Sequence, residues 1–305
     1  MNTITLDWLQ LSLNQKEEPQ TTKNFTVVAS DTIALYDRGY QVFYKNYPLT
    51  ARIYCGLFNH TNKATIKFEN WVFYRQFSIN EFLNDFWHEM PFEFDHLQRV
   101  DFALDCDEIK PCGLDVQQFI KRVLAGEIKR DKAYNRSSIT AYQAKTQVSS
   151  RREFETIYFQ KSGVMLKLYN KTNELKASGK DYIKQYWLLA DPEHKKPVWR
   201  AEFKLLGETL KLLEVIHADK QTGEVCKELK LYDGFNYDDL EFVKGVFWQL
   251  VKNYYFFVYP SIRPGPPKGN QFCAHKNLYY LPLYGETKEK RLPVMLSRTQ
   301  HIFAA

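Results

Sequence analysis

Three short stretches place ionisable side chains at alternate positions. In Arg99-Val100-Asp101-Phe102-Ala103-Leu104-Asp105, the arginine and both carboxylates fall on odd positions, with Val100, Phe102 and Leu104 between them. A strand points successive side chains to opposite faces, so Arg99, Asp101 and Asp105 would share one face and the apolar residues the other. The same alternation puts Lys167, Tyr169 and Lys171 together within Leu166–Lys171, and Arg200, Glu202 and Lys204 together within Val198–Lys204. If one sheet holds all three strands, its polar face gathers carboxylates, a phenol and several cations into a single site. The plainer reading is an antiparallel sheet with one wetted face, which produces such alternation without any chemistry.

The elements that must position these residues are legible in outline. Apolar alternation predicts strands over Thr3–Leu13, Gln41–Tyr47, Ala51–Phe58, Ala64–Tyr74 and Leu97–Cys106. Ser78 with Glu81 forms a capping box that opens a helix over Ile79–Met90, closed by Pro91. Val116, Phe119, Ile120, Val123 and Leu124 recur at helical spacing within Asp115–Ile128. Strands over Ser138–Lys145, Glu153–Gln160 and Val164–Lys171 follow, the last two joined through the turn Lys161-Ser162-Gly163, then a helix over Asp181–Leu189 and a strand over Val198–Leu205. The expected fold class is α+β: an antiparallel-rich central sheet with helices packed on one face, occupying residues 1–210. Residues 211–305 are expected to form a small, mainly helical appendage with a basic tail, with helices over Glu208–His217 and Asp238–Lys252 and a Pro/Gly-rich break at Ile262–Asn270.

The 305 residues are long enough for a substantial core, and 44% apolar with 26% charged residues are ordinary globular values. Aromatics reach 16%, a composition that favours sheets and ligands with flat faces. No apolar run approaches the ~20 residues of a membrane-spanning helix, and no basic, then apolar, leader opens the chain. Cys55, Cys106, Cys112, Cys226 and Cys273 are scattered and odd in number, which fits reduced thiols and a cytoplasmic location rather than disulfides or structural zinc.

Charge is distributed unevenly. Residues 81–115 carry a local balance of −8, whereas residues 121–152 carry +7, more than the +6 of the whole chain. A further +6 follows from Lys252 onward, interleaved with Tyr254, Tyr255, Phe256, Phe257 and Tyr259. Cations meet phosphates and rings meet bases, so these segments suit a nucleic-acid surface. Lys121, Arg122, Lys129, Arg130, Arg151 and Arg152 are the candidate contacts, and Lys167 joins them from the ionic face. As a pair of merely solubilising faces they would have no partner.

Taken in order, Asp7-Trp8-Leu9, Arg99-x-Asp-x-x-x-Asp105, Thr156-Ile157-Tyr158-Phe159, Leu166-Lys-Leu-Tyr-Asn-Lys-Thr-Asn-Glu-Leu175 and Trp199-Arg-Ala-Glu-Phe203 resemble the blocks of Rep_trans-type rolling-circle replication initiators. That family includes plasmid and conjugative-element proteins, and filamentous phage replication endonucleases share similar blocks. The resemblance spans roughly residues 7–205 and implies a replication-initiator nuclease that nicks one strand at an origin and stays joined to the 5′ phosphate through a tyrosine. It implies Tyr169 as nucleophile, activated by Lys167 and Lys171, since a phenol at its free pKa near ~10 attacks poorly. It implies a divalent ion, Mg²⁺ or Mn²⁺ by the hardness of the ligands, held by Asp101, Asp105 and Glu202, with Arg200 on a non-bridging phosphate oxygen. Tyr158 is the second candidate nucleophile. Tyr134, Tyr142, Tyr182 and Tyr186 also compete.

No His-hydrophobic-His motif exists among the seven histidines, which leaves the ligand set to carboxylates; His96, just before the Arg99 strand, is an isolated candidate. The implied partners are double-stranded origin DNA, single-stranded DNA, a host helicase and a second copy of the chain, in a bacterial cytoplasm. A conjugative relaxase would share the chemistry, and a DNA-binding regulator would share the basic surface without cleaving.

Overall fold

The computed structural model describes residues 2–58, 60–107, 109, 114–130, 138–143, 154–161, 163–218, 225–254, 256–258, 279–280 and 294–298. Strands β1 (Asn2–Gln15), β2 (Phe25–Ser30), β3 (Tyr36–Tyr44), β4 (Leu49–Leu57), β5 (His60–Phe68) and β6 (Phe92–Cys106) come first, with helix α1 (Ile79–Glu89) before β6. Then follow α2 (Val116–Leu124), β7 (Lys129–Arg130), β8 (Ser138–Gln143), β9 (Phe154–Lys161), β10 (Val164–Asn170), α3 (Lys171–Ser178), α4 (Asp181–Ala190) and β11 (Trp199–Leu206). The remainder includes α5 (Gly207–Leu210), β12 (Leu213–Ala218), β13 (Val225–Lys230), α6 (Leu240–Tyr254) and β14 (Phe256–Val258).

Ten strands form one sheet in the order β2-β3-β4-β5-β1-β6-β11-β10-β9-β8, with antiparallel neighbours throughout. The α+β class is therefore as expected, and the three strands with ionic faces lie side by side as β6, β11 and β10.

The register fixes what each face carries. Phe159, Leu166, Phe203, Phe102 and Leu6 are successive cross-strand partners, so five strands present one apolar row to the same side. Helices cover that side: Phe119 of α2 packs on Phe159, Phe247 of α6 lies edge-on to Phe203, and Phe82 and Phe86 of α1 pack on Phe25. Burying a phenylalanine contributes about 1.5–3 kcal/mol, so each ring of this row and its helical cover stabilises the fold on that scale. One continuous core includes Leu6, Phe102 and Phe203 together with Val243, Val246, Phe247 and Leu250 of α6, so residues on both sides of position 210 share it. Asp238 reinforces the link: its carboxylate accepts from the Ile79 and Asn80 backbone N–H groups at the start of α1, beside the Ser78 cap expected from the sequence.

The pair α3 and α4 lies on the opposite side, where Tyr74, Leu175, Ile183, Trp187 and Val198 make a second, small core.

Several elements depart from expectation for identifiable reasons. Helix α2 stops at Leu124 because Gly126, at φ 75°, takes the left-handed position that ends a helix. The strand expected to run to Tyr74 ends at Phe68, where Asn70 turns back and donates to the Asp7 backbone carbonyl. The helix expected over Glu208–His217 is corrected to the single turn α5 followed by β12, whose Val215 and Ile216 favour a strand paired with β13. Among the described residues no helix is long and apolar enough to cross a membrane.

Candidate active site on the ionic face of the sheet

The face opposite the main core carries three cross-strand rows. Thr156, Tyr169, Arg200, Asp105 and Thr3 form one; Tyr158, Lys167, Glu202, Ala103 and Thr5 the next; Gln160, Met165, Lys204, Asp101 and Trp8 the third. Thus the expected site residues on β6, β10 and β11 do converge.

Arg200 is the centre of the first row and is fully buried. Its Nε and Nη2 each donate to Asp105 at 2.6 Å, Nη1 donates to Asp7 Oδ1 at 2.7 Å, and Nη2 also donates to the Tyr74 hydroxyl at 2.9 Å. Trp187 Nε1 adds a third bond to Asp105, at 2.8 Å, and the Tyr74 hydroxyl donates to Asp7. Burial alone would raise the Asp7 carboxyl, but Arg200 and Lys171 hold it well below the usual range. Likewise burial opposes the Arg200 charge, and Asp105 and Asp7 more than restore it. The expectation that Arg200 meets a phosphate is corrected: the side chain is fully buried, its Nε, Nη1 and Nη2 all donate to protein acceptors, and it is a clamp between β1, β6 and β11.

Asp7 reaches this network because β1 carries a bulge. Leu6 pairs with Phe102 and Trp8 with Asp101, so Asp7 is an extra residue, and both Asp7 and Trp8 turn toward the ionic face.

In the second row Lys167 Nζ donates to Glu202 Oε1 at 2.6 Å and the Tyr169 hydroxyl donates to Glu202 Oε2 at 2.8 Å. Burial, then the Glu202 charge, pushes the Tyr169 phenol well above its ordinary pKa. The expected activation of Tyr169 by flanking lysines is opposed by Glu202, which the Tyr169 hydroxyl faces directly and whose charge disfavours the phenolate. Lys171, also buried, pairs with Glu174 at 2.7 Å and sits 5.6 Å from the Tyr169 ring centre. Burial and the nearby Arg200 lower its pKa.

Tyr158 stands directly opposite Lys167 on β9, half-buried, its ring edge-on to Tyr142 at 5.6 Å. Burial raises its phenol while the Lys167 charge draws it back down.

In the third row Asp101 accepts from Arg99 Nε at 2.9 Å and from Arg99 Nη2 as well. Burial lifts its carboxyl to about 6; Arg99 opposes the shift and the Glu202 charge adds to it.

The fit of these residues to a divalent ion follows from their donors. Both oxygens of Asp101, Asp105 and Glu202 already accept from Arg99, Arg200, Trp187, Lys167 or Tyr169. Among the described residues no group of three His, Cys, Asp or Glu side chains has the arrangement of a metal site. In this arrangement the three carboxylates do not fit Mg²⁺ or Mn²⁺; they neutralise side-chain cations. His96 instead pairs with Asp95 and stacks on Tyr232 at 4.4 Å, away from the three rows.

Of the expected DNA contacts, Lys121 and Arg122 are exposed on α2, on the core side of the sheet. Lys129 and Arg130 lie in β7, opposite Val258 and Phe257 of β14. Arg151 and Arg152 lie outside the described residues, as do Tyr134 and Cys112. The sequence reading missed Asp7, Tyr74 and Trp187 as members of the network. A signal for Asp7 was present, since apolar positions in β1 are even up to Leu6 and odd from Leu9, and such a phase change marks a bulge.

No family model matches this chain, and no curated protein sequence matches it. Among solved structures it is similar to the rolling circle replication initiator protein from Geobacillus stearothermophilus, with a TM-score of 0.49 and 12% identity over 89% of this chain and 92% of that chain.

Proposed function

We propose that the protein is a DNA strand-nicking and strand-transfer enzyme of the rolling-circle initiator type, with Tyr158 as its nucleophile. The observation that carries this reading is the juxtaposition in the second row: a half-buried phenol directly opposite a lysine, on a face where further cations stand. The ordered blocks that resemble rolling-circle initiators lie on the same strands.

The step is a displacement at phosphorus. The Tyr158 oxygen forms a bond to the phosphorus, the bond to the 3′ oxygen breaks, and that oxygen leaves as a 3′-hydroxyl after taking a proton; the phenolic proton passes to solvent at the half-open ring. Lys167 lowers the cost of the phenolate and faces the negative charge that builds on the phosphoryl oxygens. Glu202 and Tyr169 act through Lys167, holding its ammonium in place, and Arg200 with Asp105 and Asp7 holds β11 against β6. Every oxygen of Asp101, Asp105 and Glu202 being engaged favours a second reading, a DNA-binding regulator that does not cleave.

Incubating the protein with supercoiled DNA carrying its origin, in buffers with and without Mg²⁺, and searching for a covalent adduct separates the two. The adduct is expected, mapping by mass spectrometry to Tyr158; Tyr158→Phe abolishes it, whereas Tyr169→Phe retains it at reduced rate. An adduct on Tyr169 would return the nucleophile to that residue. Binding without any adduct would establish the regulator.

A further inference from the structure

Outside the nucleophile's immediate surroundings the ionic face holds further cations, of which Arg99 is paired with Asp101. Lys204 and Lys67 make no ion pair among the described residues, and both are half-buried. Lys67 stands in the row of Arg99: Gln10 is the cross-strand partner of both. The two cations share one ring, with Lys67 Nζ 4.1 Å and Arg99 Cζ 4.0 Å from the Trp8 centre. A cation over an indole is stabilised by about 0.5–1 kcal/mol at exposed sites, so Trp8 lets two like charges stand close together. Arg52 follows across the next strand as the partner of Lys67.

The positions line up. From Lys167 on β10 the cations step to Lys204 on β11 and then to Arg99 on β6, both moves drifting toward the same end, and from there straight across to Lys67 on β5. Four strand spacings of about 4.8 Å and two same-face steps of about 6.8 Å give a diagonal of about 23 Å. Burial comes first in lowering the Lys204 and Lys67 pKa values and the neighbouring Arg99 adds to it in each case, against the opposing charges of Glu69 near Lys67 and of Asp101 and Glu202 near Lys204. Cations held together in this way call for a polyanion whose charges repeat along a line.

We infer that the diagonal Lys167–Lys204–Arg99–Lys67 is the track on which the sugar-phosphate backbone of single-stranded DNA lies, leading away from Tyr158, with Trp8 as the post that holds Arg99 and Lys67 in register. This rests on the proposed nicking function and adds to it the path of the nicked strand. A flexible single strand can follow a diagonal on a sheet face, whereas a duplex is a rigid cylinder, so the partner is the single strand. Trp8 contributes through the two cations on its ring rather than by stacking on bases, so binding along the track is indifferent to sequence.

The test uses the full chain and a fluorescent ten-nucleotide thymidine strand, with anisotropy followed from low to high salt. On a single strand each phosphate contact adds about 0.7 to the steepness of log K against log salt. Lys67→Gln/Lys204→Gln is expected to make the slope shallower by about 1.4, and Lys67→Arg/Lys204→Arg to keep it. Lys121→Gln/Arg122→Gln, on the other side of the sheet, leaves it unchanged. A thermal melt of each variant checks folding; if the glutamine pair does not fold, single Lys204→Gln must make the slope shallower by about 0.7. An unchanged slope in folded glutamine variants, or an equal loss from the α2 pair, overturns the track. Neither outcome touches the adduct experiment, whose failure would instead remove the nuclease reading while leaving the track measurable.

Discussion

Arg200 shows how a buried charge is made tolerable. A guanidinium presents its donors in a fixed planar fork, and here that fork meets two carboxylates and a phenol, so desolvation is offset by short, charged hydrogen bonds. Lysine cannot reproduce the fork. Arg200→Lys, and more so Arg200→Met, should cost about 3–5 kcal/mol in denaturant unfolding, because Asp105 and Asp7 would be left as buried uncompensated charges. A loss below about 1 kcal/mol would show that the clamp is dispensable. Asp101 offers a second test with a definite sign. Its folded pKa of about 6 lies above the ordinary carboxyl value of 3.8, so between these the folded state binds more protons than the unfolded state. Stability from this group is full below pH ~4 and is lost as pH rises through 6. Asp101→Asn should therefore raise the melting temperature relative to the parent more at pH 8 than at pH 5. The opposite trend would mean that Arg99 outweighs burial.

At the scale of elements, the hairpin β9–β10 decides where Tyr158 stands relative to Lys167. Its turn needs Gly163 at φ 74°, and a Cβ there would come within 2.0 Å of Thr209 Oγ1. The Leu206 N–H donates to the Gly163 carbonyl at 2.9 Å, so the same residue ties the hairpin to the end of β11. Gly163→Ala should destabilise by about 1–3 kcal/mol, from positive-φ strain and the Thr209 clash. If Tyr158 is the nucleophile, the same change should slow adduct formation by more than its loss of stability explains; unaltered adduct kinetics in the folded fraction would uncouple the turn from the site.

The helix boundaries teach the complementary lesson. Ser78 was a legible cap, and it accepts from the backbone three residues on, as Asp115 also does at the start of α2. The Asp238 contribution to the α1 start was illegible because it comes from a segment 159 residues away.

Legibility at the scale of the whole molecule follows the same division between local and distant causes. Alternation within β6, β10 and β11 is a local property, and it gave both the sheet and the gathering of Asp101, Asp105, Lys167, Tyr169, Arg200 and Glu202 on one face. Arg99 takes Asp101 from two positions along the same strand, but the pairing of Arg200 with Asp7 depends on register between strands 193 residues apart, which no spacing within one strand encodes. The role of α6 was hidden for the same reason. Its helical pattern is plain over Leu240–Tyr254, yet that pattern does not say which surface it covers, and the Pro/Gly-rich stretch after it suggested a separate appendage. Packing supplies the answer: Phe247 lies against Phe203, and α6 caps the row that ends at Leu6. A chain ended at residue 210 would expose Phe102 and Phe203 to water and would lose the Asp238 bonds to α1. Removing a buried phenylalanine partner costs about 3–5 kcal/mol, and α6 supplies several apolar groups at once, against total stabilities of about 5–15 kcal/mol. Residues 1–210 expressed alone should therefore lack a cooperative thermal transition, whereas residues 1–258 should retain one. A cooperative melt of the shorter piece at a temperature near that of the full chain would show that the sheet holds its apolar face closed without α6.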